Sequence, residues 1–258
     1  MDRWHGRVAV VTGASSNTGA AIIRALVTGG MTVVAVARRD TRIQVRMQEL
    51  VDELKDSSGK LYPVKADVTK EEDVTAAFRW IERNVGGVDV LVNNADISIS
   101  THVADGRMSE WRRMFDLNVI ALGSCCREAI ASMRARRIPD GQIINVNNLS
   151  IHRVSPFPLG SFVYCASKRA ARVLTEGLRR ELAATRSKIK VTCVSTSVSD
   201  PQLVEVVGWN EDVYLNKVFF HSKDIADTVI FVLSAPPNVQ KENKAQASTT
   251  IVGPRRPV

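Results

Sequence analysis

The chain has 258 residues, 45% of them hydrophobic, 24% charged and 5% aromatic, with a formal net charge of +8. These values exclude a disordered tail, a collagen-like repeat and a small disulfide scaffold, and the length suffices for one large α/β domain with a well-buried core. Cys125, Cys126, Cys165 and Cys193 have neither CxxC nor zinc spacing, so no metal site or disulfide framework is expected and a reducing compartment is the default. Met1–Arg7 carries Asp2, Arg3 and Arg7 where a signal segment would be apolar, and no run of about 18 apolar residues occurs. A cytoplasmic protein without membrane insertion is expected.

Short β-branched runs alternate with helix-period segments, the pattern of βαβ units feeding a parallel sheet. In chain order the patterning predicts strand Val8–Val11, helix Thr18–Thr28, strand Thr32–Ala37, helix Thr41–Lys55, strand Leu61–Ala66, helix Glu71–Asn84 and strand Val88–Val92. There follow a helical stretch Ser109–Arg137 broken near Leu117, strand Gln142–Val146, helix Val163–Ala184, strand Lys190–Val194, helix Asp224–Leu233 and a seventh strand Ser248–Val252. The strands are apolar on both faces, as in a sheet covered on both sides. Pro156 and Pro158 mark a loop, and 200–217 is irregular enough to form a lid on a single domain spanning 1–258.

Strand one runs into Thr12-Gly13-Ala14-Ser15-Ser16-Asn17-Thr18-Gly19 and then an Ala-rich helix. A glycine turn there lets helix-start amides approach a pyrophosphate, which the helix dipole favours; the competing reading is an ordinary tight turn. Arg38 and Arg39 end the second strand, where an acidic residue would hold a ribose 2′-hydroxyl, and two guanidiniums suit a 2′-phosphate; otherwise they are solvated helix-start arginines. Asp67, after the third strand, either bonds an adenine amino group or caps the following helix. Tyr164 and Lys168 stand four apart on one helix face, where an ammonium beside a phenol lowers its pKa and makes a general acid/base. Asn93, Asn94 and Asn118 sit where packing does not ask for amides, either in a site or in local hydrogen bonds.

Together with Asp67-Val68, Asn93-Asn94-Ala95, Asn118-Val119, Gln142–Val146 and Tyr164-Cys165-Ala166-Ser167-Lys168, the glycine turn resembles the short-chain dehydrogenase/reductase family along essentially the whole chain. More narrowly, Met1–Ala14, Ile143–Val154 and Thr175–Leu182 resemble the subgroup of dehydrogenase/reductase member 11 and the insect farnesol dehydrogenases. The resemblance implies one doubly wound Rossmann domain with a seven-stranded parallel sheet and helices on both faces. It also implies NADP(H)-dependent interconversion of a hydrophobic alcohol and carbonyl, the substrate being isoprenoid, steroid or retinoid-like, in a homo-dimer or homo-tetramer. Tyr164 would then be the acid/base, Lys168 its electrostatic partner and ribose ligand, and Asn118 the holder of a relay water. Gly13, Ser15, Ser16, Asn17, Thr18, Gly19, Arg38, Arg39, Asp67, Val68, Asn93, Ala95, Thr196 and Val198 would contact the cofactor.

The sequence departs from the family in the site. Asn148 stands at the serine position of the fifth-strand loop and Ile151 at its glycine; the Asn148 amide, or Ser150 two residues on, is the available carbonyl donor. Asn17 replaces a turn glycine, Asp96 a small glycine after Asn-Asn-Ala, and Thr196-Ser197 a Pro-Gly. This clustering admits a second reading, a catalytically impaired member that binds a lipophilic ligand or partner protein. The basic runs Arg134–Arg137 and Arg186–Lys190 lack interleaved aromatics and fall at helix ends, so no nucleic-acid partner is expected.

Overall fold

All five residues of β1 (Val8–Thr12) are buried, Ala9 and Val11 on one face and Val8 and Val10 on the other, so this strand requires cover on both sides. The computed structural model, which describes residues 1–38, 41–148, 160–196, 221–236 and 249–251, supplies that cover. Strands β2 (Thr32–Ala37), β3 (Lys60–Lys65), β4 (Val90–Asn93), β5 (Gln142–Asn148), β6 (Lys190–Thr196) and β7 (Thr249–Ile251) join β1 in a seven-stranded parallel sheet of order β3-β2-β1-β4-β5-β6-β7. Helices α1 (Asn17–Thr28), α2 (Thr41–Leu54) and α7 (Ser222–Ser234) bury Ile22, Leu26, Leu50 and Val229 against Ala9, Val11, Val90 and Ile144. On the opposite face α3 (Glu71–Val85), α5 (Leu122–Ala135) and α6 (Phe162–Ala184) bury Phe78, Ile81, Ala129, Met133 and Leu182 against Val10, Leu91 and Ile143. Each such large side chain contributes about 1.5–3 kcal/mol on burial.

The long helical stretch divides as its polar residues near Leu117 foretell: α4 (Met108–Phe115) passes through a π-helical turn at Asp116–Ala121 before α5 begins. Strand β5 continues past Val146 to Asn148. Asn147 and Asn148 remain in register with Ser195 and Thr196 of β6, although an apolar pattern ends before them. A short 3-10 turn at Asp2–Trp4 carries no sequence signal. It buries Trp4, whose indole N–H donates to Leu233 O at 2.7 Å while Arg3 and Arg7 stack over its ring at 4.6 and 4.4 Å.

The basic runs serve helix termination. Arg137 and Arg186 adopt positive φ of 53° and 54° just past α5 and α6, and Arg136 donates to Val88 O and to Asp89. No helix among the described residues is long and apolar enough to cross a membrane. The expected loop at Pro156 and Pro158 and the expected lid at 200–217 lie outside the described residues.

Candidate active site

The chain reverses its direction of sheet growth between β1 and β4, and in such sheets a crevice opens beyond the carboxyl ends of the strands at that point. A cavity of about 610 Å³ lies there, lined from successive strand ends by Gly13, Arg38, Asp67, Asp96, Asn148 and Thr196.

One end of the cavity is a helix start. Gly13 has φ +63°, and a Cβ on it would sit 2.7 Å from Ala95 Cα, so the turn and the loop after β4 touch only because this residue is glycine. Ser16 caps α1, its hydroxyl accepting from Gly19 N at 2.9 Å and donating to Gly13 O at 3.0 Å. The Asn94 amide lies 3.2 Å from Thr12 O and 3.1 Å from Gly13 O, stapling the β4 loop to the turn. No acidic residue occupies the first turn of α1, so its positive end faces the cavity wall formed by Ser15, Ser16, Asn17 and Thr18. Arg38 and Arg46 line the same end, and Arg46 donates to Asn17 Oδ1. Helix-start amides and two guanidiniums are a donor set that fits a pyrophosphate bearing a further phosphate.

One expected cofactor contact takes another role through its side chain. Asn93 turns into the core, 4% exposed, and donates to Asn145 Oδ1 at 2.9 Å and to Cys126 Sγ; it does not line the cavity. Its alternation along β4 sends it inward while Asn94, one residue on, faces the turn. Asp67 lines the cavity, its Oδ1 accepting from Thr69 N and Thr69 Oγ1 in a local turn, and α3 begins at Glu71 after Lys70, whose side chain makes no cap. Val68 and Ala95 line the cavity beside them.

At the other end, α6 brings Tyr164 and Lys168 together as their spacing predicts, both buried, with the ammonium 5.8 Å from the phenol ring centroid. Their electrostatics differ from the expectation of a lowered phenol pKa. Burial pushes Tyr164 well above the ordinary tyrosine value, and the Asp96 carboxylate adds to this by its charge and by accepting the phenol hydrogen bond at 2.8 Å. Asp96 Oδ2 also lies 3.3 Å from Lys168 Nζ, so the cation faces a carboxylate at least as directly as it faces the phenol.

Asn118 sits in the π-helical turn, 2% exposed. Its oxygen accepts from Ile97 N, and its amide donates to Ile97 O at 2.9 Å and to Ser167 Oγ at 3.0 Å. Both amide hydrogens are thus engaged by protein, and the side chain fixes the Asp96–Ile97 segment relative to α6. Asn147 donates to Lys168 O at 3.1 Å and accepts from Asn148 N, and Asn148 and Thr196 line the cavity. Arg39, Ser150, Ile151, Ser197 and Val198 lie outside the described residues. The sequence reading missed Arg46, which lies in mid-helix with no motif to mark it, and Ser167, a small residue whose partner is 49 positions away.

Residues 7–211 match a family model described as short chain dehydrogenase. Dehydrogenase/reductase SDR family member 11 of Bos taurus is 41% identical over 247 residues, covering 93% of this chain and 95% of that one. Farnesol dehydrogenase of Aedes aegypti is 42% identical over 243 residues, with 93% and 95% covered. Among solved structures, a blue fluorescent protein from a metagenomic library in complex with NADPH superposes with a TM-score of 0.81 at 28% identity, covering 96% of this chain and 97% of that one. With its glycine turn, its Tyr164–Lys168 pair and these relatives, the chain belongs to the short-chain dehydrogenase family of oxidoreductases.

Proposed function

We propose that this protein interconverts a hydrophobic alcohol and the corresponding carbonyl with NADP(H), as a cytoplasmic homo-dimer or homo-tetramer. The observation that carries the reading is the opening of a phosphate-binding helix start and the Tyr164–Lys168 pair into one cavity. An isoprenoid substrate is favoured by the name of the Aedes aegypti relative, and steroid or retinoid-like molecules are the other lipophilic candidates. The NADPH-bound structural neighbour and the pair of cavity-lining arginines, Arg38 and Arg46, support the phosphorylated cofactor. Four buried thiols agree with a reducing compartment, and exposed Ile120, Val173 and Leu174 agree with subunit contacts.

The α1 amides, Arg38 and Arg46 would hold the phosphates, and the nicotinamide group, when bound, supplies or accepts the hydride. Tyr164 exchanges a proton with the substrate oxygen, giving it up as the carbonyl becomes an alcohol and taking it in the reverse direction. Asn148 lines the cavity at the position where the family has a serine, and its side-chain amide would donate to the substrate oxygen in place of a hydroxyl. Thr196 and Asn147 support it from β6 and β5, the Thr196 hydroxyl donating to Asn147 O at 3.2 Å.

The test is calorimetric titration with NADPH and NADH, followed by turnover of farnesol and of its aldehyde by native protein and by Tyr164→Phe. Tight NADPH binding and turnover abolished in the variant are expected. Turnover untouched by Tyr164→Phe would reject the mechanism, and absence of binding by either nucleotide would favour a ligand-binding role for the scaffold.

A further inference from the structure

The carboxylate of Asp96 stands between the two groups on which the proposed chemistry depends. Its Oδ2 accepts from the Tyr164 hydroxyl at 2.8 Å and lies 3.3 Å from Lys168 Nζ, while its side chain remains 36% exposed on the cavity side. Lys168, in contrast, is 4% exposed, and among the described residues this carboxylate is the one with which it forms an ion pair. The position of Asp96 is enforced by its surroundings. The Asn94 staple holds the preceding residues against the glycine turn, and the Asn118 clasp on Ile97 holds the next residue on both its N–H and its C=O.

We propose that Asp96 is a third member of the Tyr164–Lys168 centre, a positioning residue that holds the phenol hydroxyl and the ammonium on one carboxylate oxygen and so shifts the pH range in which Tyr164 works. This assignment concerns the site of the proposed oxidoreductase but stands on the geometry of three side chains alone. The resting centre is phenol, carboxylate and ammonium. A neutral phenol is the form needed to give a proton to a carbonyl, whereas alcohol oxidation needs a phenolate, which Asp96 opposes by like charge. The phenol thus holds the proton that carbonyl reduction uses, whereas alcohol oxidation requires that proton to leave first.

Among the described residues, the other groups facing the centre do not replace Asp96. Cys165 on α6 and Cys193 on β6 are buried thiols, the latter pushed up by burial, and Asn147, Asn148 and Thr196 are neutral. Arg113 and Asp116, from α4 and the π-helical turn, line the same cavity as an opposite-sign set. Burial and Asp96 act on Tyr164 in the same direction, and burial is the larger of the two.

The protein has three tyrosines, Tyr62, Tyr164 and Tyr214, so tyrosinate absorbance can be followed as pH rises and Tyr164 assigned by comparison with Tyr164→Phe. In Asp96→Asn and in Asp96→Gly, with folding checked by circular dichroism, a Tyr164-dependent step is expected at least about 1 pH unit below its native position, since the like charge is gone and Lys168 is released to stabilise the phenolate. The alcohol-oxidation limb of the pH–rate profile should move the same way. An unshifted Tyr164 step in both folded variants would overturn the assignment. A shifted step in protein that turns nothing over would sustain the Asp96 assignment and reject the functional reading instead.

Discussion

Asn17 accepts a hydrogen bond from the Arg46 guanidinium, so the side chain standing where the family has a turn glycine ties helix α2 to the start of α1. The substitution adds bulk at the phosphate end and recruits a cation there, beside Arg38. Arg46→Ala is expected to weaken NADPH binding by about 10-fold while leaving NADH nearly unchanged, the loss of one charge-assisted hydrogen bond. Asn17→Gly should narrow the preference in the same direction but by less, because the bond that holds Arg46 at the phosphate end is lost while its charge remains. Calorimetric affinities for both nucleotides check this, and equal losses for NADPH and NADH would place Arg46 on the pyrophosphate instead.

Asn118 offers a second measurement. Truncation to alanine leaves Ile97 N and O without their partner, each unsatisfied group costing about 1–3 kcal/mol where water cannot reach it. Asn118→Ala should lower the melting temperature and reduce turnover together, because Asp96 adjoins the released segment. Asn118→Asp retains the acceptor for Ile97 N but loses the donors, and should fall between the two in stability.

The thiols should be inert in the folded protein. Burial pushes Cys125 and Cys126 up to about 12 and raises Cys193 as well, so at pH 8 almost no thiolate is present at these positions. A disulfide reagent should label none of the four cysteines in native protein over minutes and all of them in denaturant. Rapid native labelling would show that the segments around α5 and β6 open readily.

Asp89 anchors the amino end of the sheet. Its carboxylate accepts from Val8 N at 2.8 Å and pairs with Arg136 and Arg7 at 3.2 and 3.5 Å while 4% exposed. Asp89→Ala leaves a buried N–H and two crowded guanidiniums. The expected loss is about 3 kcal/mol, at the low end for a broken buried pair because both arginines reach solvent. A lower denaturant midpoint with an unchanged slope checks this.

Continuous apolar runs along Val8–Thr12 and Thr32–Ala37, and the 3.6 period of α1 and α6, are local, so they were legible in the residue order and carried the sheet and most of its helices with them. The same holds for the Tyr164–Lys168 pair, since four residues on a helix define one face. The seating of Trp4 on Leu233, the inward turn of Asn93, the Arg46–Asn17 bond and the grip of Asp96 on Tyr164 join residues between 29 and 229 positions apart. No periodicity encodes such contacts, because they arise only when separate strand ends converge. That convergence reverses the electrostatic reading of Tyr164: its lysine neighbour along the helix argues for an acidic phenol, while the carboxylate brought from β4 and the surrounding apolar walls hold it protonated.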